Sequence, residues 1–290
     1  MGIAMNPDCI MCHFRKNTET VRHLGTPEQL DEFSKGLLKL YLEVPEGIST
    51  VWVGPGTDKL YEEIYGITGD RYAQEKEFSN RFVMERLDQI RAKAESAEDS
   101  VYRGLQLAIL GNYIDFSALK DEISFEKLDQ MLQQVDTMEL DREVYAKLCA
   151  DLEAGERLLY ITDNAGEIGF DRILAEQIAK RYPHVKITFC VRGGAAINDA
   201  TRADAEAVGM PFPVIDNGNN IAGTLMELLS DEAKKAMEEA DVIISKGMAN
   251  VETLLDTGYN IYYAFLVKCV RFEERFGKPK MTPMLVRERD

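Results

Sequence analysis

The second half of this chain alternates short apolar segments with stretches of helical periodicity, and this alternation limits the fold more than any other feature. The apolar segments lie at 157–162, 185–191, 213–215, 240–245 and 260–267. Segments of this length, bounded by polar residues and separated by helices, predict buried strands of a parallel sheet with helices on both faces. The sequence therefore predicts an α/β fold, with a parallel Rossmann-like three-layer sheet domain over 155–290.

The first half of the chain predicts helices instead, because its apolar residues recur at helical spacing. Thr26 followed by Pro27 is typical of a helix start, and an apolar stripe that includes Leu38 follows it. Helices are predicted at 27–42, 70–95, 101–111, 125–135 and 142–154. We therefore expect an N-terminal helical domain over 1–154, with the domain boundary near Gly155.

The charge balance excludes one large class of partners. The 290 residues include 34 Lys and Arg against 50 Asp and Glu, which gives a net charge of −16. Proteins that bind the phosphate backbone of nucleic acids carry basic patches, so nucleic acid is not an expected partner.

The apolar segments and the cysteines indicate the compartment. No apolar segment approaches the roughly 20 residues of a membrane span, and the N-terminus lacks the basic start and apolar core of a signal peptide. The five cysteines are scattered and odd in number, which is not a disulfide framework. We expect a cytoplasmic protein with reduced thiols and no membrane partner.

Three polar, glycine-containing turns follow predicted strands. They lie at 163–167, 192–201 and 245–250. Ligands of open parallel sheets bind beyond the carboxyl ends of the strands, so these turns should meet at one functional edge. The expected convergence of the three turns carries this inference, since no single turn is specific.

Oxygen ligands in two of these turns favour a divalent metal. Asp163 and Asn164 follow the first strand, and Asp199 lies in the turn after the second. Two carboxylates and a carboxamide suit Mg²⁺ or Mn²⁺, which prefer oxygen ligands and retain waters. Either aspartate alone could equally cap a helix, but the three residues together favour the metal.

Lys246 and Gly247 follow the fourth strand, where a lysine can present its ammonium group to an anion at the sheet edge. The alternative is a solvated loop lysine. Neither a Gly-x-Gly-x-x-Gly fingerprint nor a Walker lysine pattern occurs, which disfavours dinucleotide-binding and P-loop sites.

Cys9 and Cys12 form a single CxxC pair near the N-terminus, with His13 and His23 close by. Four-ligand zinc sites usually need a second pair, so we expect a structural role or weak metal binding here. With three histidines in the chain, acid–base chemistry by histidine is not expected.

Four ordered motifs resemble one known family over nearly the whole chain. They stand as Gly111-Asn-Tyr-Ile-Asp115, Asp163-Asn-Ala-Gly-Glu167, Asn198-Asp-Ala-Thr201 and Lys246-Gly-Met-Ala-Asn-Val-Glu-Thr-Leu254. The family is the damage-control metal phosphatases, long catalogued as domain of unknown function 89. The CxxC pair and Lys268-Cys269 resemble its shorter, prokaryotic-type branch.

The resemblance implies a divalent-metal-dependent phosphatase of small phosphate monoesters, such as sugar phosphates or damaged phosphometabolites. The expected ion is Mn²⁺, Mg²⁺, Co²⁺ or Ni²⁺, and its ligands would be Asp163, Asn164 and Asp199. The implied catalytic residues are Asp163, Lys246 and Asn112. The implied substrate-binding residues are Glu167, Asn198, Thr201, Gly247, Asn250, Glu252 and Asp115. The helical half would cover the cleft and select the substrate.

Two other functions remain open at this point. One is an S-adenosylmethionine-dependent carboxyl methyltransferase, an activity also attached to a eukaryotic branch of the family. Such a site would need an acidic residue after the second strand to hold the ribose, and Arg192 stands there instead. The other is a protein that binds a phosphometabolite without catalysis.

Overall fold

A computed structural model describes residues 2–112 and 125–288 of the chain. In these residues a six-stranded sheet is covered by helices on both faces, which confirms the predicted α/β class. The strands are β1 (Arg157–Ile161), β2 (Lys186–Val191), β3 (Val214–Asp216), β4 (Val242–Lys246), β5 (Ile261–Leu266) and β6 (Pro283–Arg287).

The strand order β3-β2-β1-β4-β5-β6 places the functional edge. Strands β1 to β5 are parallel, whereas β6 pairs antiparallel with β5. The order reverses between β1 and β4, and ligands of such sheets bind in the crevice at this reversal. The turns after β1 and β4 lie on either side of it. The sequence missed β6 because the apolar segment of this half-exposed edge strand, Met284 to Val286, is only three residues long.

The helices before the sheet extend to Ala154. They are α1 (Pro7–Val21), α2 (Pro27–Leu42), α3 (Gly54–Tyr65), α4 (Ala73–Met84), α5 (Leu87–Glu95), α6 (Ser100–Gly111), α7 (Phe125–Gln134) and α8 (Arg142–Ala154). Those within the sheet region are α9 (Glu167–Arg181), α10 (Arg202–Ala207), α11 (Asp231–Glu239), α12 (Met248–Leu254) and α13 (Val270–Phe276).

Two details of the predicted helical half are wrong. The single helix over 70–95 is broken between α4 and α5, and both pieces pack on α9, which has 15 residues. An unbroken helix would be about 39 Å long, whereas α9 spans about 22 Å, so the break keeps both apolar faces on α9. Leu38 is 51% exposed and does not belong to the buried stripe of α2.

One apolar core joins the helices α6 and α8 to the sheet. Leu105 of α6 and Leu148 of α8 pack in the same cluster as Tyr160 and Ile244 of the strands. The opposite face of the sheet packs on α11, α12 and α13. The helix α6 therefore runs against the sheet and ends at Asn112, beside the functional edge. The division into domains at Gly155 stays a prediction.

No helix within 2–112 and 125–288 is both long enough and apolar enough to cross a membrane.

Candidate active site

The turn after β1 is tied to the loop after β2 by its backbone. Asp163 accepts a hydrogen bond at its carbonyl from the Ala200 amide at 2.8 Å, and the Ala165 amide donates to the Asn198 carbonyl at 2.9 Å. An isolated bridge pairs Asn164 with Asp199. The three predicted metal ligands are therefore brought together, as the convergence of the turns implied.

Two side-chain amides fix the carboxylates of this turn. The Asn112 Nδ2 atom donates to Asp163 Oδ2 at 2.9 Å and to Glu167 Oε2 at 2.8 Å. The Asn164 Nδ2 atom donates to the same two oxygens, each at 2.8 Å. Asn112 thus reaches the site from the end of α6, as the family resemblance implied. Burial, together with the charges of Glu167 and Asp199, raises the pKa of Asp163 well above its usual value.

Asp199 is held by Arg192, which the sequence did not predict as a site residue. The Arg192 Nε atom donates to Asp199 Oδ2 at 2.7 Å, and both side chains are buried. Burial raises the pKa of Asp199, although Arg192 acts against this shift. A second Arg192 nitrogen donates to Asn250 Oδ1 at 3.0 Å. Arg192 is therefore a positioning residue for Asp199.

One oxygen of each predicted ligand remains without a hydrogen bond. Asp163 and Asp199 accept side-chain bonds at Oδ2 only, and Asn164 donates through Nδ2. Within the described parts of the chain, no donor meets the three Oδ1 atoms. Since unbonded oxygen atoms on two carboxylates and a carboxamide are suitable ligands for Mg²⁺ or Mn²⁺, the residues present fit the implied ion.

The predicted ligand set contains only two carboxylates. No group of three or more His, Cys, Asp or Glu in the described residues is arranged to hold a metal. A bound ion would therefore need the Asn164 oxygen and waters to complete its coordination, which is the usual situation for Mg²⁺.

Gly247 lets the turn after β4 approach Asp163. Its φ is 78°, a left-handed conformation that glycine adopts easily. A Cβ atom at this position would lie 2.1 Å from Asp163 Oδ2, so any side chain here would displace the carboxylate.

Lys246 differs from its expected position at the open sheet edge. Its side chain is fully buried, and Nζ donates to Glu167 Oε1 at 2.6 Å, Asp171 Oδ1 at 2.7 Å and the Ala108 carbonyl at 2.8 Å. Side chains alternate along a strand, so Lys246 points to the same face as Ile244, where α6 and α9 cover the sheet.

The charges around Lys246 balance inside the protein. Burial disfavours its charged form, but Asp171 and Glu167 reverse this effect and raise the pKa of Lys246 above its usual value. Burial raises the pKa of Asp171 to about 6, with Lys246 acting against the shift.

Other predicted substrate-binding residues have structural contacts. Asn250 is buried and donates to the carbonyls of Thr162 and Lys246, which fastens the turn after β4. Thr201 caps α10 through Asp204.

Glu252 accepts a hydrogen bond from Ser49 Oγ at 2.5 Å, and burial raises its pKa. Asn198 is half-buried in the loop that carries Asp199. Asp115 lies outside the described residues. The substrate-binding roles stay predictions.

Lys268, which follows β5 by two residues, is not among the site residues that the sequence predicts. Its side chain is half-buried, no described carboxylate pairs with it, and its charge lowers the pKa of Asp163. Its position directly after a strand, like that of the three predicted turns, could have indicated a site residue. In the sequence, Lys268 contributes only to the resemblance to the prokaryotic-type branch of the family.

Residues of α4 also support the site. The Asn80 Oδ1 atom accepts a hydrogen bond from the Gly166 amide at 2.7 Å, at the start of α9. The charge of Lys76 lowers the pKa of Asp199. Interior polar residues of a helix carry no turn or glycine signal, which is why the sequence did not indicate them.

The CxxC pair lies on α1, with Cys9 half-buried and Cys12 exposed. His13 is engaged by Tyr41 Oη at Nδ1, at 2.8 Å, and by Asn17 at Nε2. Within the described residues they form no group of three or more His, Cys, Asp or Glu that could hold a metal, and the role of the CxxC pair stays a prediction.

Comparison with known proteins gives the family. The model of the damage-control phosphatase ARMT1-like domain matches residues 5–282. The chain belongs to this family. The resemblance in the four motifs is thereby confirmed, and membership supports a phosphatase role.

Individual relatives agree with this assignment. The chain is 33% identical over 295 residues to an uncharacterized protein of Methanocaldococcus jannaschii, covering 95% of this chain and 93% of that protein. It is 32% identical over 217 residues to a damage-control phosphatase of Archaeoglobus fulgidus, covering 73% and 74%. The crystal structure of a DUF89 family protein from Pyrococcus horikoshii superposes with a TM-score of 0.83 at 26% identity, covering 99% of this chain and 100% of that one.

Proposed function

We propose that this protein is a divalent-metal-dependent phosphatase of small phosphate monoesters. The observation that carries the proposal is the set of unbonded Oδ1 atoms on Asp163, Asn164 and Asp199, at the reversal of strand order. The names of the relatives and the family support the reaction class. Sugar phosphates and damaged phosphometabolites are the substrate classes that we propose.

Asp163, Asn164 and Asp199 would hold the ion, which is Mn²⁺, Mg²⁺, Co²⁺ or Ni²⁺ in this proposal. A bound divalent ion supplies Lewis acidity toward a phosphoryl oxygen and a means of orienting water. The protein supplies the rigid frame, since the Asp163 and Asp199 carboxylates are each anchored through Oδ2.

Lys268 is the cation that we assign to the phosphate group. Lys246 has three acceptors inside the protein, so its ammonium group would have to break those bonds to reach a substrate. Lys268 has no paired carboxylate among the described residues and acts electrostatically on Asp163. Positive charge near the equatorial phosphoryl oxygens stabilises the transition state for transfer.

Glu167 serves to position neighbours rather than to accept protons from a substrate. Its Oε1 atom receives the Lys246 bond, and its Oε2 atom receives the bonds of Asn112 and Asn164. Because both oxygens are occupied, Glu167 orients the two amides that hold Asp163.

Phosphate release from a panel of esters, with each metal and after chelation, tests this function. We expect activity only with metal, and its loss in Asp163→Ala and Asp199→Ala. Asp88→Ala is the matched control, because the Asp88 side chain is fully exposed on α5. Metal-independent release, or full activity in either site variant, would contradict the proposal. Substrate binding without phosphate release would indicate a binding protein instead.

A further inference from the structure

A cavity of about 170 Å³ lies between the helical half and the loop after β2, and its lining includes the cations Lys16 and Arg71 against the single carboxylate of Asp58. We call it the Lys16 cavity. Its polar lining includes His13, Lys16, Asn17, Asp58 and Arg71, and its other wall includes Ala196, Ile197 and Asn220. A second cavity of about 400 Å³ shares Lys16, Arg71 and Tyr72 with it.

The Lys16 cavity adjoins the loop that holds Asp199. The Asp199 amide donates to the carbonyl of Ala196 at 3.0 Å, and Ala196 and Ile197 form the cavity wall. Lys76, four residues beyond Tyr72 in the chain, acts electrostatically on Asp199. A molecule bound at Asp199 therefore has this cavity beside it, toward the helical half.

The charges of the cavity are incompletely balanced. Arg71 pairs with Asp58 at 2.6 Å and lies 3.7 Å from the centre of the Tyr61 ring. Lys16 is exposed and has no paired carboxylate in the described residues. The cavity thus presents a free cation in a protein whose net charge is −16.

The pKa of His13 reflects this positive potential. Burial, followed by the charges of Lys16 and Arg71, lowers the pKa of His13 to about 4. The imidazole is therefore neutral at pH 7, and the two cations act on the same buried ring. An anion placed between them would offset their repulsion of the charged imidazole.

We propose that the Lys16 cavity binds a second anionic group of the substrate, while the phosphate ester lies at Asp163, Asn164 and Asp199. The substrate class is then small phosphate esters that carry a carboxylate or a second phosphate at the other end. This inference rests on the proposed phosphatase function, and it assigns Lys16 to substrate selection.

Matched pairs of esters test the inference by kinetics. Glycerol 3-phosphate and 3-phosphoglycerate differ by a terminal carboxylate, and fructose 1-phosphate and fructose 1,6-bisphosphate differ by a second phosphate. We expect a lower KM for the doubly anionic member of at least one pair. Lys16→Ala should raise that KM about tenfold, the loss typical of one charge-assisted contact, with kcat unchanged. The pair that responds distinguishes carboxylate from phosphate.

Lys35→Ala is the matched control. Lys35 is an exposed lysine on α2 whose partner is Asp31, so its loss changes the net charge equally but leaves the cavity intact. p-Nitrophenyl phosphate, which has no second anion, should be hydrolysed equally by both variants and by the wild type. If Lys16→Ala matches Lys35→Ala on every ester, the inference is wrong while the phosphatase function stands.

A binding measurement keeps the two proposals separable. Phosphonoacetate carries a phosphonate and a carboxylate and resists hydrolysis, whereas methylphosphonate lacks the carboxylate. Titration of the His13 ring by NMR should show phosphonoacetate, but not methylphosphonate, raising the pKa of His13. Lys16→Ala should weaken this response about tenfold. If the response occurs but no ester is hydrolysed, the anion site stands and the phosphatase function fails. Equal responses to both compounds would overturn the anion site.

Discussion

Two buried groups of carboxylates meet at Glu167, and they differ in how their charge is compensated. The inner cluster consists of Asp171, Glu167 Oε1 and Lys246, and the ammonium group bonds both carboxylates. The outer cluster consists of Asp163, Asn164 and Asp199. Asp163 receives only neutral amides there, and Arg192 bonds Asp199 alone.

The difference shows which cluster is built for an external cation. Burying a charge costs several kcal/mol unless an opposite charge compensates it, so a buried group of acids needs either a cation or protonation. In the inner cluster this cation is the side chain of Lys246. The outer cluster has a raised pKa at Asp163 and unbonded oxygens, so it gains most from a divalent ion.

The largest expected effect is the loss of activity when a carboxylate of the outer cluster is replaced. Asp163→Asn should lower kcat/KM by about 10³-fold or more, because losing one group that stabilises transition-state charge already costs 10²–10³. Steady-state assay at a Mn²⁺ concentration that saturates the wild type measures the loss. In the metal-free state the variant should unfold at a higher temperature than the wild type, since one buried charge is removed. A less stable metal-free variant would contradict the comparison.

Loss of the inner cation should affect stability more than loss of the outer lysine. Lys246→Met leaves two buried carboxylates without their cation and should lower the free energy of unfolding by about 3–5 kcal/mol, measured in urea. Lys268→Met is the matched variant. It should keep near-normal stability and lose about tenfold in kcat/KM. Equal effects of the two substitutions on the free energy of unfolding would contradict the assignment of Lys246 as the cation that compensates the inner carboxylates.

Gly247→Ala tests the geometry of the outer cluster. The new Cβ would lie 2.1 Å from Asp163 Oδ2, so we expect activity and metal affinity to fall together, by about 10². Gly277→Ala is the control, since Gly277 also has a positive φ, of 63°, but no atom within 4 Å of the added Cβ. It should cost about 1–2 kcal/mol of stability and leave metal affinity unchanged.

The smallest effect is a pH dependence of the metal-free protein. The pKa of Asp163 is raised on folding, so the native state holds this proton more tightly than the unfolded state. Stability should therefore fall as the pH rises above about 4, the usual range of an aspartate. Urea unfolding of wild type and Asp163→Asn at several pH values isolates this contribution. A constant difference between the two proteins across that range would contradict it.

The strands and their turns were predictable because their signals are local. Five apolar segments became β1 to β5, and Asp163, Asn164 and Asp199 came together because parallel strands end at one edge. The direction of Lys246 was not predictable in the same way. Helices cover both faces of the sheet, and only the packing of α6 and α9 shows that Lys246 meets Asp171.

The contribution of the helical half depends on tertiary packing. Nothing in the sequence around Asn80 marks a site, because interior positions of helices lack turn residues. Near Lys16 the CxxC pair and His13 did carry a signal, but it pointed to a metal and not to an anion. The break between α4 and α5 was missed for a similar reason, since the length of α9 determines it. Asn112 could be indicated only because it lies in a motif that resembles the family.

Calorimetric titration of Mn²⁺ into the metal-free protein tests the central claim most directly. We predict one site per chain in the wild type, no measurable binding in Asp163→Asn or Asp199→Asn, and retained binding in Lys268→Met. Unchanged Mn²⁺ affinity in Asp163→Asn and Asp199→Asn, or no binding in the wild type, would contradict the assignment of the outer cluster as the metal site.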